Sequence, residues 1–291
     1  MCQRLQDPAT RANLKTFLAM IDLHSHTTAS DGQYTPEELL QRAATAGVTT
    51  LSVTDHDTVA GLEACQKAAA KHAIRLVPGI EVSAFVGKKE VHILGHFIDP
   101  LEPQLARFSD VLRVEREKRM VLMVAKVKAL GFPITMDHVR AIAGEAHLGR
   151  PHLARVLVEG HWCLDTKEAF DRFLGDGKPA AVPRFEVKSA EAIALIHAAH
   201  GTATLAHPGT SKVLLFELEQ LKREGLDGLE VEHADHPRHI RERFMGWAAQ
   251  LDLVATSGSD FHGEKVAPDR HLGTASMPPE RFAALEARRP G

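Results

Sequence analysis

From Met20 to about Asp99, short runs rich in apolar and β-branched residues alternate with stretches whose apolar positions recur every three or four residues. The first kind predicts strands at Met20 to His24, Thr50 to Thr54, Arg75 to Val82 and Val91 to Phe97. The second predicts helices, one opening at Pro36-Glu37-Glu38 with proline in its first turn and one over Leu62 to His72. Gly87-Lys88 separates the last two strand-like runs by a turn rather than a helix, which would place Glu81 and His92 opposite each other across a hairpin.

The alternation stops between residues 101 and 180. Leu105, Leu112, Met120, Val124, Val127 and Leu130 follow a mainly helical spacing that ends at Gly131, with Pro133 beyond. Further helical patterns cover Asp137 to Ala143, His152 to Glu159 and Thr166 to Phe173. A Gly- and Pro-rich stretch, Gly175 to Pro183, precedes a return to alternation, with strands at Thr202 to Ala206, Gly228 to Glu232 and Leu253 to Ser257. The expected fold is one α/β barrel, residues 20–100 and 181–291, split by an all-helical insertion at 101–180. Residues 1–19 read as a leader outside the core.

Composition narrows the class. With 291 residues, 44% of them hydrophobic, the chain can bury a core without staples. A formal charge of -3 argues against a broad footprint for duplex DNA while leaving room for a local basic pocket. No apolar run reaches the roughly 18 to 20 residues that span a bilayer. Cys2, Cys65 and Cys163 suggest neither a disulfide framework nor a thiolate zinc site, which fits a reduced, cytoplasmic setting. No Gly-rich phosphate loop is present.

Polar chemistry gathers where the strands end. In Asp22-Leu23-His24-Ser25-His26 the two histidines alternate along a strand and so share a face. Asp31, His56, Glu81, His92 and His207 follow, and Asp260 and His262 close the series. In β/α barrels reactive groups collect at the C-terminal strand ends, which is where these clusters are expected. A single histidine near a strand end is more often a hydrogen-bonded core or surface residue; nine suitable residues after successive strands are not a coincidence. Nine nitrogen and oxygen donors suffice for three cations, with Glu81 able to bridge a pair roughly 3.5 to 4 Å apart. Asp22 is expected to orient an imidazole instead.

Asp22-Leu23-His24-Ser25-His26, Thr54-Asp55-His56-Asp57, Pro78-Gly79-Ile80-Glu81 and Ser259-Asp260-Phe261-His262 resemble the signature motifs of the PHP (polymerase and histidinol phosphatase) superfamily. The resemblance runs from Met20 to about Ser276. It implies a distorted seven-stranded β/α barrel binding three divalent metal ions, commonly Mn2+, with Fe or Zn as alternatives. It further implies one metal on His24, His26, Glu81 and Asp260, a second on Asp31, His56 and His262, and a third on Glu81, His92 and His207.

Ser30-Asp31-Gly32, Val91-His92-Ile93-Leu94-Gly95 and Leu148-Gly149-Arg150-Pro151-His152 look most like the 3′,5′-nucleoside-bisphosphate phosphatases of that superfamily, enzymes acting on pAp-like nucleotides, with relatives that trim short RNA from the 5′ end. A metal-bound hydroxide would then attack the 3′-phosphate in line, with His233 and His236 as candidate proton donors. Arg116, Lys118, Arg119, Arg150, His152 and Arg184 are candidate phosphate contacts, because guanidinium forks match phosphate oxygens; His236 is a further candidate contact. The run from Arg113 to Arg119, with Glu115 and Glu117 interleaved, reads equally well as a solvated helix face. At the sixth strand this chain carries Val231-Glu232-His233-Ala234-Asp235-His236 where such relatives often have a Tyr-rich segment. Competing readings are a histidinol-phosphate phosphatase of the same fold, an amidohydrolase-type C–N hydrolase, and a non-catalytic module. The second lacks an apparent carbamate-forming lysine at the fourth strand, and the third fits poorly with so full a ligand set.

Overall fold

The computed structural model describes residues 19–144 and 146–291, so the proposed leader lies, but for Ala19, outside the described residues. Seven strands form one sheet in chain order: β1 (Ile21–Asp22), β2 (Thr50–Val53), β3 (Arg75–Val86), β4 (Lys89–His96), β5 (Thr202–Leu205), β6 (Gly228–Glu232) and β7 (Val254–Ser257). The two outer strands meet. Leu23 N–H donates to Ser257 O at 3.2 Å and His26 N–H to Phe261 O at 3.0 Å, so the sheet curls into a nearly closed barrel.

Helices α1 (Pro36–Thr45) and α2 (Leu62–His72) connect β1 to β2 and β2 to β3. Thr35 caps α1 in a reciprocal box with Glu38, and Pro36 occupies its first turn. The strands they join are parallel, as are β5, β6 and β7. β4 is antiparallel to both of its neighbours. The hairpin expected at Gly87-Lys88 is present, with Ser83 opposite His92. It also reverses one expectation. His92 sits in the first half of β4, and only because that strand runs the other way does its beginning lie level with the ends of the parallel strands.

Between β4 and β5 come α3 (Pro103–Ala129), α4 (Met136–Ala143), α5 (Arg150–Glu159), α6 (Thr166–Ala169), a π-helical turn at Phe170–Leu174, and α7 (Ser189–Ala198). α8 (Leu215–Arg223) and α9 (Arg238–Gln250) separate β5, β6 and β7, and α10 (Pro279–Glu286) follows. The 27 residues of α3 make a helix of about 40 Å that serves two cores. Its Leu105 and Leu112 join the barrel core, while Met120, Met123, Val124 and Val127 pack with Ile134, Leu153 and Leu157 in a second cluster. The helical region therefore shares its first helix with the barrel. Among the described residues no helix is long and apolar enough to cross a membrane.

Candidate metal centre

β1 is shorter than the sequence predicts and ends at Asp22; His24 and His26 flank Ser25 just beyond it, and the Ser25–Phe261 bridge fixes them beside the segment carrying Asp260 and His262. Gly32 lets the loop bearing Asp31 fold against β1, since a Cβ there would lie 2.5 Å from His26 O. A parallel bridge sets His56 beside Glu81, where β3 leaves β2 and pairs on with β4. Asp57, His207 and Asp260 all take left-handed backbone conformations, with φ of 56°, 25° and 51°. Non-glycine residues enter that region at a cost, and it is used here to re-aim the chain at the strand ends.

Two of the three implied ligand sets are altered by the geometry. His24, His26, Glu81 and Asp260 converge as the resemblance implies. Asp31, His56 and His262 converge with His26 added, so that His26 faces two positions. The third grouping brings His56 to Glu81 and His92, while His207 Nε2 reaches the same Oε1 as His92, at 3.1 Å. Glu81 is the hub: His24, His26 and His56 lie 3.1 to 3.3 Å from its Oε2, and His92 Nδ1 2.8 Å from its Oε1.

Several of these buried atoms have no hydrogen-bond partner, among them both ring nitrogens of His26, His56 Nδ1, Asp31 Oδ1 and Asp260 Oδ1. Buried polar atoms are seldom left so, and here they belong to residues whose ligand atoms converge. Imidazole and carboxylate donors without sulfur suit a divalent first-row cation. The ring tautomers agree. His24 Nδ1 bonds Glu230 at 3.0 Å and His262 Nδ1 bonds Asp260 O at 2.9 Å, which leaves each Nε2 free to face the cluster. Asp22 does not orient an imidazole. Its oxygens accept backbone N–H groups of His24, Ser259 and Gly273, tying β1 to the segment after β7.

The electrostatics point the same way. Burial opposes charge on Glu81, Asp31 and Asp260, yet the surrounding imidazoles hold all three well below the usual carboxylate range. Burial also disfavours charged imidazole, but Asp260 and Glu81 draw His26 up to about 10, and Glu81 draws His92 up to about 9. His56, where burial prevails, falls to about 3. Cations bound there would take the place of the protons that the carboxylates favour on His26 and His92.

Beside this cluster stand four guanidinium groups. Arg116 of α3 bonds Asp57 and, at 3.2 Å, Leu148 O; Arg119 bonds Val182 O at 2.8 Å. Arg150, at the start of α5, bonds Asp176 at 2.8 Å, and Arg184 Nη1 lies 3.0 Å from Glu90. Nε and Nη1 of Arg184 are buried without a hydrogen-bond partner. Burial, together with Arg184 and Arg150, lowers Arg119 to about 9, a sign of crowded positive charge. The other candidates sit differently. Lys118 is exposed and pairs with Glu115, which is the solvated-face reading. His152 Nδ1 accepts Gly149 N–H at 3.0 Å and caps its own helix.

Both ring nitrogens of His236 are committed, Nδ1 donating to Val231 O at 3.0 Å and Nε2 accepting Gly209 N–H at 3.1 Å. That leaves no proton to give. His233 accepts Asp235 N–H on Nδ1 and is fully buried, its Nε2 3.5 Å from Asp260 Oδ2. Its Nε2 thus sits against a candidate metal ligand, without a hydrogen-bond partner.

The model of the PHP domain family matches residues 22–169, just over half of the chain. The chain belongs to the PHP family. A 3′,5′-nucleoside bisphosphate phosphatase of Chromobacterium violaceum is 36% identical over 268 residues, covering 90% of this chain and 94% of its own. A 5′-3′ exoribonuclease of Haemophilus influenzae is 36% identical over 245 residues, covering 83% and 89%. A crystal structure from Bifidobacterium adolescentis, described as a proposed metal-dependent phosphoesterase, superimposes with a TM-score of 0.86 at 32% identity, over 93% of this chain and 96% of that one.

In this PHP chain three residues of the site escape sequence reasoning. Glu230 Oε1 holds His24 and its Oε2 accepts His207 N–H at 2.7 Å. Gly258 makes room for it, because a Cβ there would fall 2.3 Å from His24 Cβ and 2.7 Å from Glu230 Oε1. Arg270 grips Asp260 and Asp235 from the loop after β7. The one available signal was a carboxylate between Leu229 and Val231 in a run otherwise fit for the core.

Proposed function

We propose that this PHP protein is a metal-dependent phosphoesterase that removes the 3′-phosphate of nucleoside 3′,5′-bisphosphates such as pAp, and that it also trims short 5′-phosphorylated RNA. The observation that carries the reading is the pairing of two unlike sites. A buried His and carboxylate cluster lies next to an arginine cluster in which the buried Nε of Arg184 has no hydrogen-bond partner and Nη1 faces Glu90 at 3.0 Å. Such a pair suits a substrate with a phosphate at each end of a ribose. The relatives named for bisphosphate and RNA hydrolysis match along most of the chain.

His24, His26, Glu81 and Asp260 would hold one cation, Asp31, His56 and His262 a second, and Glu81 with His92 and His207 a third, with His26 and His56 each also within reach of a neighbouring position, and with Mn2+ favoured and Fe or Zn suited to the same donors. Bound there, the cations would polarise the phosphoryl oxygens and acidify a water for in-line attack. The chain's own groups do the positioning. Arg150 and Arg184 would bind the distal 5′-phosphate, Arg116 would stiffen the wall through Asp57, and Glu230 would keep Nε2 of His24 turned to the cluster.

Phosphate release from pAp and 3′-AMP, and release of nucleoside 5′-monophosphate from a short 5′-phosphorylated oligoribonucleotide, both in the presence of Mn2+, test the proposal. We expect pAp to be turned over in preference to 3′-AMP, His56→Ala and Asp260→Ala to abolish release, and Arg150→Ala to raise KM for pAp by about 10- to 100-fold with a smaller change in kcat, the cost of one charge-assisted contact. Retention by Arg150→Ala of the wild-type preference for pAp over 3′-AMP would remove Arg150 from the substrate site. Preferred turnover of histidinol phosphate would move the chain to another substrate class.

A further inference from the structure

Glu90 and His92 are alternate residues of β4 and share one face of it. His92 turns Nδ1 to Glu81 at 2.8 Å, and its other nitrogen, Nε2, lies 3.6 Å from Glu90 Oε1. The same Oε1 is 3.0 Å from Arg184 Nη1, and Glu90 Oε2 is 4.0 Å from Arg150 Nη2. One carboxylate thus stands between a candidate metal ligand and two of the guanidinium groups assigned above to the distal phosphate.

We propose that Glu90 is a positioning residue that couples cation binding at His92 to phosphate binding at Arg184 and Arg150. The inference rests on the clamp reading of the arginine cluster. Without substrate, Glu90 divides its negative charge between the arginines and His92. A phosphate that takes the arginine N–H groups releases Glu90 to accept Nε2–H of His92. A carboxylate on the far nitrogen orients an imidazole and raises its basicity as a ligand, so the third cation is held more tightly once the distal phosphate is bound. By linkage, that cation tightens the phosphate by the same factor. Substrate would in this way complete the metal centre that acts on it.

The test is the binding isotherm of Mn2+ alone, followed through the spin resonance of the free ion, with and without saturating AMP, which carries the 5′-phosphate and has no 3′-phosphate to lose. In the wild type AMP should tighten the weakest Mn2+ site about 5- to 10-fold, a coupling of the usual size. In Glu90→Gln that site should be weaker at the start, and AMP should tighten it by less than about 2-fold. Arg184→Met, which frees Glu90 without a nucleotide, should tighten the same site, and combining it with Glu90→Gln should abolish the gain. AMP binding that leaves Mn2+ affinity unchanged in the wild type, or tightens it equally in Glu90→Gln, overturns the coupling and leaves the clamp standing. Failure of AMP to bind, or AMP binding indifferent to Arg150→Ala, overturns the clamp reading and the coupling with it.

Discussion

The bond from His24 Nδ1 to Glu230 decides which nitrogen of His24 faces Glu81, and a neutral amide in place of the carboxylate would hold the ring less well. Glu230→Gln should therefore lower Mn2+ affinity by about 10- to 100-fold, read from the same isotherms, with the fold intact by circular dichroism. His96 offers a different residue-scale effect. It is fully buried, bonds Leu23 O at 3.0 Å, and burial depresses it to about 4. The unfolded chain takes up this proton near pH 6.5 and the folded chain only near pH 4, so stability present at neutral pH is lost as pH falls across that window, by at most about 3 kcal/mol. Denaturant titrations at pH 7 and pH 4.5 should show His96→Gln losing less stability than the wild type over the interval. The candidate ligands were legible because His and carboxylates after successive strands stand out. Glu230 was not, because a glutamate inside a strand looks the same whether it faces solvent or a histidine 206 residues away in sequence.

At the scale of elements, the hairpin of β3 and β4 could be read from Gly87-Lys88, since a turn that short admits only antiparallel neighbours. The antiparallel pairing of β4 with β5 could not, because more than a hundred residues, the helical insertion among them, separate the two strands. The division at residue 101 was too sharp for the same reason. Periodicity shows that α3 is amphipathic and says nothing of how many cores its apolar side serves. That double service has a consequence. Met123 is fully buried in the second cluster, where Leu153 and Leu157 of α5 also lie. Met123→Ala should cost about 2 to 5 kcal/mol by opening a cavity there. Because α5 begins with Arg150, the variant should raise KM for pAp while leaving Mn2+ affinity near that of the wild type, measured by phosphate release and metal titration.

Across the whole molecule, a formal charge of -3 hides two opposed local fields, carboxylates gathered at the barrel mouth and arginines beside it. Sequence order cannot show this, because it is the closing of β1 on β7 that brings Asp260 and His262 back to His24 and His26. A barrel closed through its own ligands should depend on cations for more than chemistry. Asp31, Glu81 and Asp260 come from the loop after β1, from β3 and from the segment after β7, so the cations they hold with their histidine partners join segments far apart in the chain. Ligands that bind only the folded state stabilise it by mass action, about 2.7 kcal/mol for one site at a hundredfold excess over Kd. For a chain of this size that amounts to roughly 4 to 5 °C in Tm. Chelation followed by calorimetry should lower Tm by at least that much and readdition of Mn2+ should restore it, with Asp260→Asn losing the share of the response due to the cation held with His24, His26 and Glu81. A Tm indifferent to chelation and to Mn2+ in the wild type would show that the ligand cluster holds its shape by hydrogen bonds alone.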